Sequence, residues 1–142
     1  MSYKNALVIG FSLILVALSL QCQEIHGKEF LVGDEKGWSP YPGISDWPNG
    51  KNFTPGDVLI FKYDNTSTKV WQADFILPEY LKDCYETCET YFCAITEFNS
   101  GNDRVELREG ENYFLSSGYD TCIKGFKLKI CAEFDSKRKN CV

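Results

Sequence analysis

The stretch Phe126-Lys-Leu-Lys-Ile-Cys-Ala-Glu-Phe134 decides the fold class. Phe126, Leu128, Ile130, Ala132 and Phe134 hold one parity, and Lys127, Lys129, Cys131 and Glu133 hold the other. Successive side chains of a strand point to opposite faces, so this pattern specifies a strand with the first set against a core and the second toward solvent. Cys131 then points outward, and a surface segment must supply its partner. The tail residue Cys141 is the nearest candidate.

Working upstream, residues 104–108 and 111–116 flank Glu109-Gly110 and read as a hairpin. Asn99-Ser100-Gly101-Asn102 is a turn. Pro78 fits the first position of a short helix reaching about Cys88, with Leu81, Cys84, Tyr85 and Cys88 at helical spacing. Cys84 and Cys88 are set too far apart on such a helix for an unstrained bond to each other. Residues 69–75 and 57–63 read as strands that face each other across a polar turn at 64–68. The run 57–63, introduced by Pro55-Gly56, is nearly all apolar, as in a strand buried on both sides. Residues 40–50 carry Pro40, Pro42, Gly43, Pro48 and Gly50 and must be a loop. Residues 29–32 form a short strand ending at Gly33. About seven short strands at turn spacings of roughly ten residues predict an all-β Greek-key sandwich with one short helix.

A chain of 142 residues with 44% hydrophobic and 15% aromatic content can bury one core, so a single domain is expected and disorder throughout is excluded. The net charge of −5 repels phosphate backbones and anionic lipid, which argues against nucleic acid as a partner. No repeat or low-complexity tract interrupts the unit.

Residues 1–27 read as a secretory leader: Lys4, an apolar run from Ala6 to Leu20, then a polar stretch to Gly27. The run is shorter than the roughly 18–20 residues that span a bilayer, so cleavage near Gly27 is expected rather than a retained anchor, with a cut nearer Cys22 as the alternative. The domain is then 28–135, followed by a short basic tail at 136–142. Cleavage near Gly27 removes His26 and Met1, the sequence's one histidine and one methionine. Histidine-based nucleophilic catalysis and His-ligated zinc or copper are thereby excluded from the mature domain. Removing Cys22 turns seven cysteines into six: Cys84, Cys88, Cys93, Cys122, Cys131 and Cys141. An even count in an exported domain implies disulfides, whose pairing the sequence leaves open. The spacing of Cys84, Cys88 and Cys93 lacks the paired knuckles of a thiolate metal site.

Several segments together resemble the phytocyanins, the secreted plant cupredoxins that include plantacyanins, stellacyanins, uclacyanins and early nodulin-like proteins. They are Phe30-Leu-Val-Gly-Asp34 with Gly37-Trp38, then Trp47 and the run from Gly50-Lys-Asn-Phe-Thr54 to Phe61-Lys-Tyr63. Ser100-Gly-Asn-Asp-Arg-Val-Glu-Leu107, Gly110 with Tyr113-Phe114, and Cys122 with Gly125 and Lys127 follow in order. The resemblance covers nearly the whole mature chain and implies a cupredoxin-like sandwich.

Copper-binding members hold their metal with two histidines, a cysteine and an axial Met or Gln. Carried over by motif, those positions fall on Thr68, Ser116, Thr121 and Phe126. Hydroxyls are weak copper ligands and a phenyl ring is none, so the resemblance implies a degenerate site with copper lost and no cofactor. It also implies a Cys88–Cys122 disulfide. The other four cysteines are additional to the family pattern, and Cys84–Cys93 with Cys131–Cys141 is the pairing expected among the three that four cysteines allow. The chain ends in Asp135-Ser-Lys-Arg-Lys-Asn-Cys-Val142, without the stalk and apolar tail of anchored members, and free secretion to the apoplast is expected.

Asn65-Thr-Ser67 and Asn52-Phe-Thr54 are N-glycosylation sequons, with Asn65 in an exposed turn and Asn52 close to a strand. Trp38, Trp47 and Trp71 are assigned to core packing rather than a ligand groove. The basic tail Lys137-Arg-Lys139 is assigned to solvent rather than to acidic wall polysaccharide. No pattern selects a catalytic carboxylate pair. The expected function is a non-enzymatic, monomeric extracellular or cell-wall binding protein. Its remodelled loop end (Thr68, Ser116, Tyr119, Thr121, Phe126) would have exchanged metal for packing, a glycan or a small organic ligand. The alternatives are a blue-copper electron carrier and a secreted defence or signalling protein.

Overall fold

In the computed structural model, residues 27–73, 95–134 and 141 are described. Along the chain, β1 is Glu29–Leu31, β2 Val58–Lys62, β3 Val70–Ala73, β4 Ile95–Phe98, β5 Asn102–Glu106, β6 Gly110–Ser116, α1 Tyr119–Ile123 and β7 Lys127–Ala132. They form a sandwich of two sheets, ordered β1-β2-β5 and β4-β3-β6-β7. β1 runs parallel to β2, and the other strand pairs are antiparallel. The expected leader, the helix near 78–88 and most of the basic tail lie outside the described residues.

The parity of the last strand becomes its burial: Leu128, Ile130 and Ala132 are buried, while Lys127, Lys129 and Cys131 are half-buried. Phe134 departs from the expectation, at 75% exposed. The strand ends at Ala132, where Phe53 joins it as a parallel bridge and its carbonyl accepts from Glu133 N. Beyond that point alternation no longer fixes which way a side chain faces. Cys131, on the outward face, is bonded to Cys141 with a Cα separation of 5.9 Å.

β2 is covered on one face only: Leu59 and Phe61 are fully buried, whereas Val58 and Ile60 are half-buried. The two strands expected to face each other, β2 and β3, belong to different sheets. Phe61 meets Phe114 of β6 across the sandwich, with ring centroids 5.1 Å apart. Trp38 stands edge-on to Phe61 at 5.3 Å and lies against Phe126 at 4.3 Å. Each such aromatic pair adds about 0.5–1.5 kcal/mol beyond the area it buries. These four rings form the floor of the candidate site.

The expected hairpin of 104–108 with 111–116 is corrected. β5 pairs with β2, and β6 pairs with β3 and β7. Leu107 extends the β2–β5 ladder by exchanging backbone bonds with Gly56 and Asp57, so the chain crosses between sheets over the next three residues. The buried Asn112 amide holds that corner. Its Oδ1 accepts from Arg108 N at 3.1 Å, and its Nδ2 donates to Arg108 O at 2.8 Å and Gly110 O at 3.1 Å. One side chain thus substitutes for a strand partner where the ladder is broken.

Candidate functional site

Three of the four residues carried over as metal positions meet through their hydroxyls. Thr68 Oγ1 lies 3.0 Å from Ser116 Oγ, which lies 2.9 Å from Thr121 Oγ1. Thr121 Oγ1 donates to Gly118 O at 2.7 Å, and Gly118 N donates back to Ser116 Oγ at 3.3 Å. A consistent set of protons runs from Thr68 to Ser116 to Thr121 to the Gly118 carbonyl. Thr68 also has Lys69 O within 3.2 Å.

Each residue reaches this point for a local reason. Thr68 follows a turn in which the Asp64 carboxylate accepts from Thr66 N and Oγ1, and the Asp64 carbonyl accepts from Ser67 N and Thr68 N. The Thr66 bonds hold the Asp64 carboxyl below its usual range. Ser116 ends β6 opposite Val70 and is 3% exposed. Thr121 sits in α1, a single turn that opens at Gly118, where an added Cβ would stand 2.7 Å from the Thr121 hydroxyl. Glycine is what lets that hydroxyl approach the chain.

Phe126, the fourth position, closes the group from below. Its ring packs on Trp38, its N donates to Thr121 O at 3.0 Å, and its carbonyl accepts from Ser116 N at 3.2 Å. Trp38 Nε1 donates to Lys69 O at 3.4 Å, and Lys69 N donates to Ser117 Oγ at 3.2 Å. Ser117 and Gly118 therefore belong to the cluster, and no motif in the sequence marks them. Beside it on the open face, the Glu97 carboxylate accepts from Lys69 Nζ at 2.7 Å and Trp71 Nε1 at 2.9 Å, which holds its carboxyl below the usual range. Trp38 and Trp47 are core residues as expected, but Trp71 is half-buried and spends its indole N–H on this surface pair.

The donor chemistry at the four positions is three neutral hydroxyls and a phenyl ring. It does not fit the two imidazoles, thiolate and thioether of a blue-copper centre. Cys122, next to Thr121 and 1% exposed, is disulfide-bonded and offers no thiolate. Cys131, Glu133 and Cys141 bring ligand atoms within 4.8 Å of one another, but the two sulfurs are joined to each other and cannot bind as thiolates. His26, Cys84, Cys88 and Cys93 lie outside the described residues.

Elsewhere, a groove of about 610 Å³ runs between the 48–54 loop and the end of β7, lined by Asn52, Phe53, Lys129 and Phe134 among others. Asn52 and Asn65 are both exposed. Tyr63 OH donates to Asp103, and burial together with that bond pushes the phenol up to about 12. Among the described residues no helix is long and apolar enough to cross a membrane.

Comparison with known proteins places these observations. A family described as plastocyanin-like domain matches residues 38–126. Chemocyanin of Lilium longiflorum is 36% identical over 131 residues, covering 92% of this chain and 94% of the relative. Early nodulin-like protein 22 of Arabidopsis thaliana is 38% identical over 104 residues, covering 72% and 69%. The structure of cucumber basic protein, a blue copper protein, superposes with a TM-score of 0.60 at 28% identity, covering 73% of this chain and 98% of that one.

Proposed function

The chain belongs to the phytocyanins, of the plastocyanin-like domain family, and from that premise we propose that it is a secreted, non-enzymatic member without copper, acting as an extracellular or cell-wall binding or structural protein. The observation that carries this reading is the hydroxyl chain Thr68–Ser116–Thr121 above the Phe126–Trp38 pair. A metal centre needs lone pairs aimed at a common point. Here the oxygens aim at one another, and their protons are committed to neighbouring oxygens. Phe126 fills the axial side with a ring that no metal would bind. Among the described residues no base is hydrogen-bonded to these neutral hydroxyls, and the Glu97 carboxylate beside the cluster is taken up by Lys69 and Trp71, which supports the non-enzymatic reading.

The half-buried rim of this cluster, at Thr68, Ser117 and Thr121, presents polar groups that suit a polyhydroxylated ligand such as a glycan or a small organic molecule. Binding of the exported protein to cell-wall polysaccharide fractions, measured with and without a metal chelator, tests the proposal. Equal binding under both conditions is expected. Binding that needs added copper, or no binding to any fraction, contradicts it.

A further inference from the structure

We infer that leader removal cuts the chain between Gly27 and Lys28, and that the ammonium released on Lys28 forms an ion pair with the buried carboxylate of Asp57. The inference rests on reading residues 1–27 as a leader and is independent of the copper question. Asp57 is 1% exposed, and its two oxygens accept from two backbone groups only, Lys28 N at 2.7 Å and Thr54 N at 2.8 Å. No side-chain cation of the described residues pairs with it. A buried carboxylate without a counter-charge is costly, and two neutral N–H groups compensate it only in part.

Lys28 is the residue the fold has already fixed against this carboxylate. Val58 N donates to Lys28 O at 2.8 Å, and the β1–β2 ladder continues from Glu29 opposite Val58. The nitrogen therefore stays in place when the peptide before it is cut. Hydrolysis breaks the Gly27–Lys28 C–N bond: water adds its hydroxyl to the Gly27 carbonyl carbon and a proton to the Lys28 nitrogen. At neutral pH the products are a Gly27 carboxylate on the departing leader and a protonated amine on Lys28. That one step supplies the charge Asp57 lacks, at the atom already in hydrogen-bond contact. Before the cut, residue 27 lies so close to Gly56 that a Cβ would stand 1.8 Å from its carbonyl oxygen, so only glycine passes there. A small residue is also what leader-processing proteases require on the departing side.

The test begins with the full chain expressed in a secretory host and the exported protein weighed intact after reduction and deglycosylation. A first residue of Lys28 is expected, and any other start overturns the inference. The protein beginning at Lys28 is then compared with one that keeps Gly27, which moves the ammonium by one residue, about 3.8 Å along the chain. Each is made with Asp57 and with Asp57→Asn and unfolded in urea. Asp57→Asn is expected to lower the folding constant by about tenfold more in the Lys28-start protein than in the extended one. Equal losses overturn the ion pair. Should Asp57→Asn fail to fold, nitrogen NMR of the unsubstituted protein reads the Lys28 α-amine directly. A pKa above the ordinary range of about 7.7–8.0 is expected, and an ordinary value contradicts the pair.

Discussion

The hydroxyls of Thr68 and Ser116, 48 residues apart in sequence, lie 3.0 Å apart at one end of the sandwich. What joins them here is a shared proton, and the same oxygen of Ser116 goes on to meet Thr121.

Ser116 is the middle of that chain, so Ser116→Ala takes the acceptor from Gly118 N and one partner each from Thr68 and Thr121, which keep Lys69 O and Gly118 O. Losing a hydrogen bond of this kind costs about 0.5–1.5 kcal/mol. Urea unfolding is expected to show a loss in that range, and Ser116→Thr, which keeps the hydroxyl, a smaller one.

Phe126 is 2% exposed and stacks on Trp38. Phe126→Ala should therefore cost about 3–5 kcal/mol, while Phe126→Leu, which refills most of the volume, costs less. Thermal unfolding ranks the two. A site that had kept its ring for ligand contact alone would tolerate alanine with little loss.

Asn112 carries the crossing from one sheet to the other. Asn112→Ala removes three bonds to Arg108 and Gly110 and is expected to cost about 1–3 kcal/mol. Asn112→Asp is expected to be worse, because it replaces two donated bonds with a buried charge among carbonyls. Hydrogen exchange should locate the loosening at 107–110 in both.

Tyr63 gives the pH dependence its sign. Its phenol is pushed up to about 12 by burial and by donating to Asp103, against about 10 in the unfolded chain. The neutral form is thus favoured by folding, so its contribution is fully present below pH about 10 and is lost as pH rises from there through about 12. Stability against pH in this alkaline window should fall less steeply for Tyr63→Phe than for the unsubstituted protein.

How far the sequence could be read follows from what each residue's signal depends on. β7 was legible because its parity is a local property and one face is buried. β4 carries no such signal: Ile95, Thr96 and Glu97 are all exposed, so no alternation marks it. The hairpin expected around Glu109-Gly110 was misread because a turn pair and two strands look alike whether the strands pair or cross to different sheets. The deciding group is the Asn112 side chain, whose partners are only visible in three dimensions. α1 is too short to show helical periodicity and is set by Gly118 and the Thr121–Phe126 backbone bond. At the site, the resemblance singles out Thr68, Ser116, Thr121 and Phe126, which lie together in the fold. That they bond to one another, and that Ser117 and Gly118 join them, depends on distances no spacing rule supplies.

The most direct measurement is the copper content of the exported protein, produced in copper-supplemented medium, with its visible spectrum in the oxidised state. The account predicts copper far below one ion per chain and no thiolate-to-copper absorption. One copper per chain, with the intense visible band of a blue-copper centre, would contradict it.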